Sequence, residues 1–199
     1  MSPVPADGLT RILAAMPADL GEDEQVDWNS LRSTWRMTFP SDYMAFMAHY
    51  GAGTIDDSVS VLAPDTPGQC ELGGMAGETR TAQGLWHADP APVLAWGVTV
   101  AADIICWRTV HADPDRWPVA VWRRQSSSPR WREFDMGMAD FLCGMFFREF
   151  DECPLSDATL WGIPTPRFIS NRQQQRLLGT GVDPWTGEPD PYAGLSFDD

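Results

Sequence analysis

At 199 residues, 43% of them hydrophobic and ten of them tryptophan, the chain is long enough for one domain with a full core and short for two. Its formal charge of −14 argues against direct binding to DNA or RNA, where phosphate contacts need clustered cations. All 14 basic residues are arginine, which excludes mechanisms built on a Schiff-base or P-loop lysine.

Leu9, Ile12, Leu13 and Met16 recur at helical spacing before Pro17, and Asp19, Glu22, Asp23, Glu24 and Asp27 follow. Residues 1–27 therefore read as a short amphipathic helix and an acidic linker. A second helix is predicted from near Asp27 to Arg36, with Trp28, Leu31 and Trp35 on its inner face. The strongest signal comes next. Tyr43, Phe46, Met47 and Tyr50 fall at i, i+3, i+4 and i+7, which stacks them on one helical face that must be buried. Pro40 has the φ of a first helical turn, Ser41 and Asp42 complement the free N–H groups there, and Phe39 is placed to staple against Tyr43. Gly51 and Gly53 stop the helix, after which Val59 and Val61 alternate with Ser58 and Ser60 as in a strand with one face in the core.

Residues 64–92 are rich in glycine, and each interior glycine costs about 1 kcal/mol relative to alanine in a helix. A marginal helix and a mobile loop both remain open over 71–86. Three strands are predicted at 93–99, 104–109 and 117–123, rich in β-branched and aromatic residues and separated by Asp, Pro and Gly. A hairpin loop at 125–129 leads into a fourth at 130–134. Asp135 is placed to cap a following helix in which Met138, Phe141, Leu142, Met145 and Glu149 share a face. The domain core is thus expected at 28–153. An extension follows at 154–178, with one short helix near Arg172 to Leu178. The acidic stretch 179–199 has too few apolar groups to offset its ordering entropy and is expected to be flexible or loosely draped, with Trp185 and Tyr192 able to dock it.

Several of these blocks together resemble the SMI1/KNR4 (SUKH) superfamily. They are the proline-opened helix with Asp42 and Tyr43, its glycine exit and the strand leading to Pro64; then Leu94, Trp96 and Gly97 with Asp103 and Trp107. Asp113, Asp115, Trp117 and Val121 form the third, and Trp131, Phe134, Gly137, Phe141 and Leu142 the fourth. The resemblance spans about Trp28 to Glu152. It implies an α+β fold, a mainly antiparallel central sheet flanked by helices. For bacterial members it implies an immunity role, in which the protein binds and neutralises a toxin domain, often a nuclease. It supplies no catalytic residues. The lysine-free composition looks like a bacterial member from a GC-rich genome.

Read residue by residue, the chemistry points to binding. His49, His87 and His111 are paired with no nucleophile in the sequence, and the patterns of serine hydrolases and zinc peptidases are absent. Cys70, Cys106, Cys143 and Cys153 lack metal-ligand spacing and read as free thiols. Asp56, Asp57, Asp113 and Asp115 suit structural turns or the rim of an acidic binding face. Trp107, Trp122 and Trp131 lie on strands whose two faces one helical layer cannot cover, so some of them either line an open face or sit under a second layer. Arg116, Arg123, Arg124, Arg130 and Arg132 suit a local basic patch or salt-bridged strand edges. No cofactor or metal is expected. No apolar run approaches the roughly 20 residues of a membrane helix, and no secretory signal is visible, so a cytoplasmic protein is expected. The expected partner is a basic toxin protein; a regulatory domain for a small molecule or peptide is the first alternative, and a hydrolase with a dispersed site the second.

Overall fold

The computed structural model describes residues 8–21, 26–65 and 74–189. In chain order these form α1 (Gly8–Ala15), α2 (Trp28–Trp35), α3 (Ser41–Tyr50), β1 (Gly53–Ile55), β2 (Val59–Val61), α4 (Met75–Leu85), β3 (Val93–Thr99) and β4 (Ile104–Arg108). A short 3-10 turn, Pro114–Arg116, precedes β5 (Val119–Trp122), β6 (Trp131–Phe134), α5 (Met138–Phe147), β7 (Phe168–Ser170) and α6 (Asn171–Gly179). The fold is α+β. Its one seven-stranded sheet has the order β6-β5-β4-β3-β2-β1-β7, and every neighbouring pair is antiparallel.

The α3 unit forms as its spacing requires: Tyr43, Phe46, Met47 and Tyr50 are buried, and the Phe39 and Tyr43 rings lie 5.9 Å apart. Its first turn is capped from a distance, the Ser41 amide donating to Asp115 Oδ1 at 2.6 Å. Asp42 reaches the other way. Its Oδ1 accepts from its neighbour's amide, Tyr43 N, and its Oδ2 from Ala139 N at 2.9 Å, the start of α5. The predicted cap Asp135 is not used: the N-cap of α5 is Gly137, which has no side chain to offer, and Asp42 supplies the acceptor instead. Ser58 also departs from its expected outer position. It is buried at the β1–β2 turn, with its hydroxyl 3.3 Å from Asp157 Oδ1.

Both flanks pack on the same core. Leu9, Ile12, Ala15 and Met16 are buried, the Gly8 carbonyl accepts from Cys143 Sγ, and Arg11 pairs with Glu149, so α1 lies along α5. Glu149 itself is exposed beyond the end of α5, while Met138, Phe141, Leu142 and Met145 are buried. At the other end, β7 pairs with β1, and Phe168 and Ile169 are fully buried. That pairing needs Gly53, where a Cβ would run into the Ile169 carbonyl and the Phe168 ring. The short helix expected after 170 is α6, capped by Ser170 Oγ on the Gln173 amide. Residues 180–189 are more closely held than a draped tail. Val182 bridges to Pro189, and Arg167 donates to the Pro184 and Trp185 carbonyls while its guanidinium lies 5.7 Å from the centre of the Trp185 ring. Tyr192 lies outside the described residues.

The glycine-rich segment resolves as α4 over Met75–Leu85, with residues 66–73, and Cys70 among them, outside the described residues. Its helix is held by what it covers. Met75, Thr79 and Ala82 are buried, and Thr79 Oγ1 accepts from Ala95 N at 3.0 Å, an amide beside the register shift between Ala95 and Gly97. Packing on the sheet outweighs the low intrinsic propensity.

Candidate binding face

Register decides which side chains share a face. Trp107 pairs with Leu94 and Val119, and Val119 with Phe134, so these residues face the layer of α3 and α5. There the Tyr43 ring meets Trp107 at 5.0 Å, and Phe134 meets Phe141 at 5.2 Å. Trp107 is fully buried. It is a core residue and has no part in any surface, contrary to its place among the binding candidates, because helices do cover that face.

The opposite face is covered differently. α4 lies over β3 and the start of β4, but toward the β6 edge the cover is made of side chains. Trp122 and Trp131 are direct cross-strand partners. The Trp131 ring packs edge-on against Trp86 at 4.6 Å, and its Nε1 donates to the Leu85 carbonyl at 3.0 Å. Arg108 lies 5.5 Å from the Trp86 ring centre and pairs with Glu133; Arg130 lies 5.8 Å from that of Trp122. Trp86 and Trp131 are half-buried and Trp122 is buried beneath Arg130. Tryptophan rings packed on one another, two of them with an arginine over the ring, are rigid, amphipathic contact area of the kind that dominates protein interfaces.

Two grooves flank this ridge. One, of about 420 Å³, runs along Gln83, Trp86, His87 and the loop to Ala91. The other, of about 490 Å³, lies between α4 and the β3–β4 hairpin and is lined by Glu78, Thr81, Leu85, Val98, Ile104, Trp122 and Arg124 among others. Burial pushes the Glu78 carboxyl up from its ordinary pKa. At the end of this groove Asp103 is fully buried, and its carboxylate accepts from Arg124 N at 2.9 Å, Ser156 N at 2.6 Å and Ser156 Oγ at 2.7 Å. Asp103 is thereby the clamp between the β3–β4 turn, the end of β5 and the segment after α5.

The four aspartates do not join this face. Asp56 and Asp57 form the β1–β2 turn with positive φ, and Asp56 Oδ1 accepts from Arg167 N. The Asp57 carboxyl is pushed up by burial and then by the charge of Asp183. Asp113 and Asp115 lie at the opposite end of the sheet, in the β4–β5 connection, where Asp113 caps the 3-10 turn and Asp115 caps α3. Of the candidate residues, Trp122 and Trp131 alone come together on this face, while Asp56 with Asp57 and Asp113 with Asp115 form two separate turns. Sequence reasoning missed Trp86, Arg108 and Glu78. The signal for the first two was an aromatic just past a helix and an arginine at the end of an apolar strand, but their meeting is set by the helix placement.

Of the arginine cluster, Arg130 stacks on Trp122 and Arg132 pairs with Glu152 at 2.9 Å. His49 lies on α3, His87 after α4 and His111 in the β4–β5 connection, three separate regions. Cys106, Cys143 and Cys153 are free thiols, the first two buried. Among the described residues no group of three His, Cys, Asp or Glu is arranged to hold a metal ion, and no helix is long and apolar enough to cross a membrane. Compared with family models, with curated proteins and with solved structures, the chain finds no match.

Proposed function

We propose that this chain is a non-catalytic cytoplasmic binding protein of the SMI1/KNR4 (SUKH) type, an immunity protein that neutralises a cognate bacterial toxin domain by stoichiometric binding. The observation that carries the reading is the ridge of Trp86, Trp122 and Trp131 with Arg108 and Arg130, a rigid aromatic surface with grooves on both sides, on a protein of net charge −14. The sequence blocks behind the resemblance support it: they build α3 with β1 and β2, then β3 with β4, the β4–β5 connection, and β6 with α5, in one sheet. A toxin that handles nucleic acid presents a positive surface, and an inhibitor this acidic is steered to it at long range while aromatic contacts fix the dock.

The experiment is co-expression of the chain with toxin domains encoded beside its gene, scored by survival. Rescue with formation of an isolable one-to-one complex is the expected result; no rescue by any of them, from a folded and expressed protein, overturns the reading. A second reading, a regulatory domain for a small molecule or peptide, draws on the two tryptophan-lined grooves. A saturable tryptophan-fluorescence shift with a metabolite, in the absence of any toxin binding, is what would favour it.

A further inference from the structure

The groove between α4 and the β3–β4 hairpin combines three properties. Its walls are apolar where Leu85, Val98, Ile104 and Trp122 line it, and Leu85 is one of the more exposed large apolar side chains of the protein. Glu78 stands in that wall, half-buried, and no described residue forms an ion pair with its carboxylate. The charged side chains lining it are two carboxylates, Glu78 and Asp103, against the single guanidinium of Arg124. Asp103 is already engaged by three donors, and its charge adds to the local potential without offering a free lone pair in easy reach. Of the two carboxylates lining the groove, Glu78 is the one with no hydrogen bond or ion pair to a described residue. An acid surrounded by apolar wall and partly withdrawn from water gains more from a cation than the same acid on an open surface does.

We propose that this groove docks a segment of a partner protein that presents a lysine or arginine beside an apolar side chain, the cation meeting Glu78 and the apolar group packing against Leu85 and Trp122. The inference rests on the reading of the chain as an inhibitor of a basic protein and names the pocket that reads the partner's charge. Burial raises the Glu78 pKa, as for a carboxylate partly withdrawn from water. Long cationic side chains suit such a site because their methylene stems cover apolar wall while the charged head reaches the acid. An acidic segment is disfavoured, since it would bring a third carboxylate to Glu78 and Asp103.

The probe is a set of capped peptides, Ac-Leu-Arg-Leu-Lys-amide with its Gln-for-cation and Glu-for-cation counterparts, titrated into the full chain while the Trp122 indole N–H and Leu85 methyl resonances are followed. Expected is saturable shifting of both resonances by the cationic peptide, weaker by about tenfold with Glu78→Gln, the weight of one charge-assisted contact in a partly desolvated site. Thr81→Arg, which places a bulky cation on the exposed α4 wall of the groove, is expected to abolish it. Equal binding of the cationic and Gln peptides, stronger binding of the Glu peptide, or shifts confined to other residues overturns the proposal. Survival in the co-expression experiment separates the two claims. Rescue by wild type that Glu78→Gln and Thr81→Arg leave intact removes the groove and keeps the immunity reading, whereas absent rescue with groove-specific peptide binding does the reverse.

Discussion

Replacing Asp103 with alanine takes away the acceptor that joins three separated segments. The variant strands two backbone amides, Arg124 N and Ser156 N, and one hydroxyl, Ser156 Oγ, which converge on a fully buried carboxylate from an exposed Arg124 and a half-buried Ser156. Each stranded donor costs about 1–3 kcal/mol, and the loss is reduced by relief of the several kcal/mol spent on burying the carboxylate itself. The donors win because all three bonds are short and point at a charged acceptor, so the net cost is about 2–4 kcal/mol, a large share of a typical domain's 5–15 kcal/mol. At about 2–4 °C per kcal/mol for a domain of this size, the melting temperature falls by about 4–16 °C. Urea unfolding gives the free energy, and Ser156→Ala provides the internal scale, because it removes only the hydroxyl and costs about 1 kcal/mol. Asp103→Asn does not rescue: its amide group would present a donor to a donor at Ser156 N or give up the other two bonds. A loss below 1 kcal/mol for Asp103→Ala, or amide exchange at Ser156 and Arg124 no faster than in wild type, refutes the clamp.

Three further outcomes are expected. Trp107→Ala opens a cavity among Tyr43, Trp96 and the strands and costs about 3–5 kcal/mol in urea, whereas Trp131→Ala on the half-buried ridge costs clearly less; equal losses contradict the assignment of the two faces. Gly53→Ala forces a methyl into Ile169 and Phe168 and loosens β7, destabilising by about 1–3 kcal/mol and accelerating limited proteolysis between residues 156 and 170 ahead of the rest of the chain; uniform cleavage argues against it. The Asp42 carboxyl is pushed up chiefly by burial, against the pull of the Ala139 and Tyr43 amides and with the added charges of Asp115 and Asp140. A raised folded pKa means the folded state holds the proton longer, so the stability of wild type relative to Asp42→Asn is highest below about pH 4 and falls as pH rises through the folded value, then levels. Guanidinium unfolding from pH 3 to 7 checks it, and a relative stability that grows with pH refutes it.

Local chemistry made the central elements legible. The α3 face, the stop at Gly51 and the strand starting at Val93 all follow from spacing and turn residues whose partners are near in sequence. What escaped depends on distant partners. β7 is three residues in a proline-rich stretch, too short to alternate visibly, and it is a strand only because β1 has an edge for it. The cap of α5 comes from Asp42, 97 positions away, so the nearby Asp135 was the natural and mistaken choice. The tryptophans show the same limit at the site. Trp107 and Trp122 sit on adjacent strands that are buried on both faces, so alternation is silent, and only the register, Trp107 opposite Val119 and Trp122 opposite Ile104, puts them on opposite faces. The ridge exists because α4 ends at Leu85 and leaves Trp86 and Trp131 to finish the cover, a helix end that the glycine-rich sequence does not mark.

The strand order has a consequence for how the protein is made. Six strands are laid down in the order of synthesis, each able to pair with the one before it, and such near-neighbour pairing is the quick kind to form. The exception is the outer side of β1, whose partner Phe168–Ser170 leaves the ribosome long after Gly53–Ile55. Until then a row of backbone donors and acceptors stands open beside a buried apolar layer, the template on which two nascent chains would join. A chain that stops short of Phe168 keeps every other strand and never closes that side, so premature termination is expected to yield self-associating fragments, and β7 acts as the seal of the finished molecule.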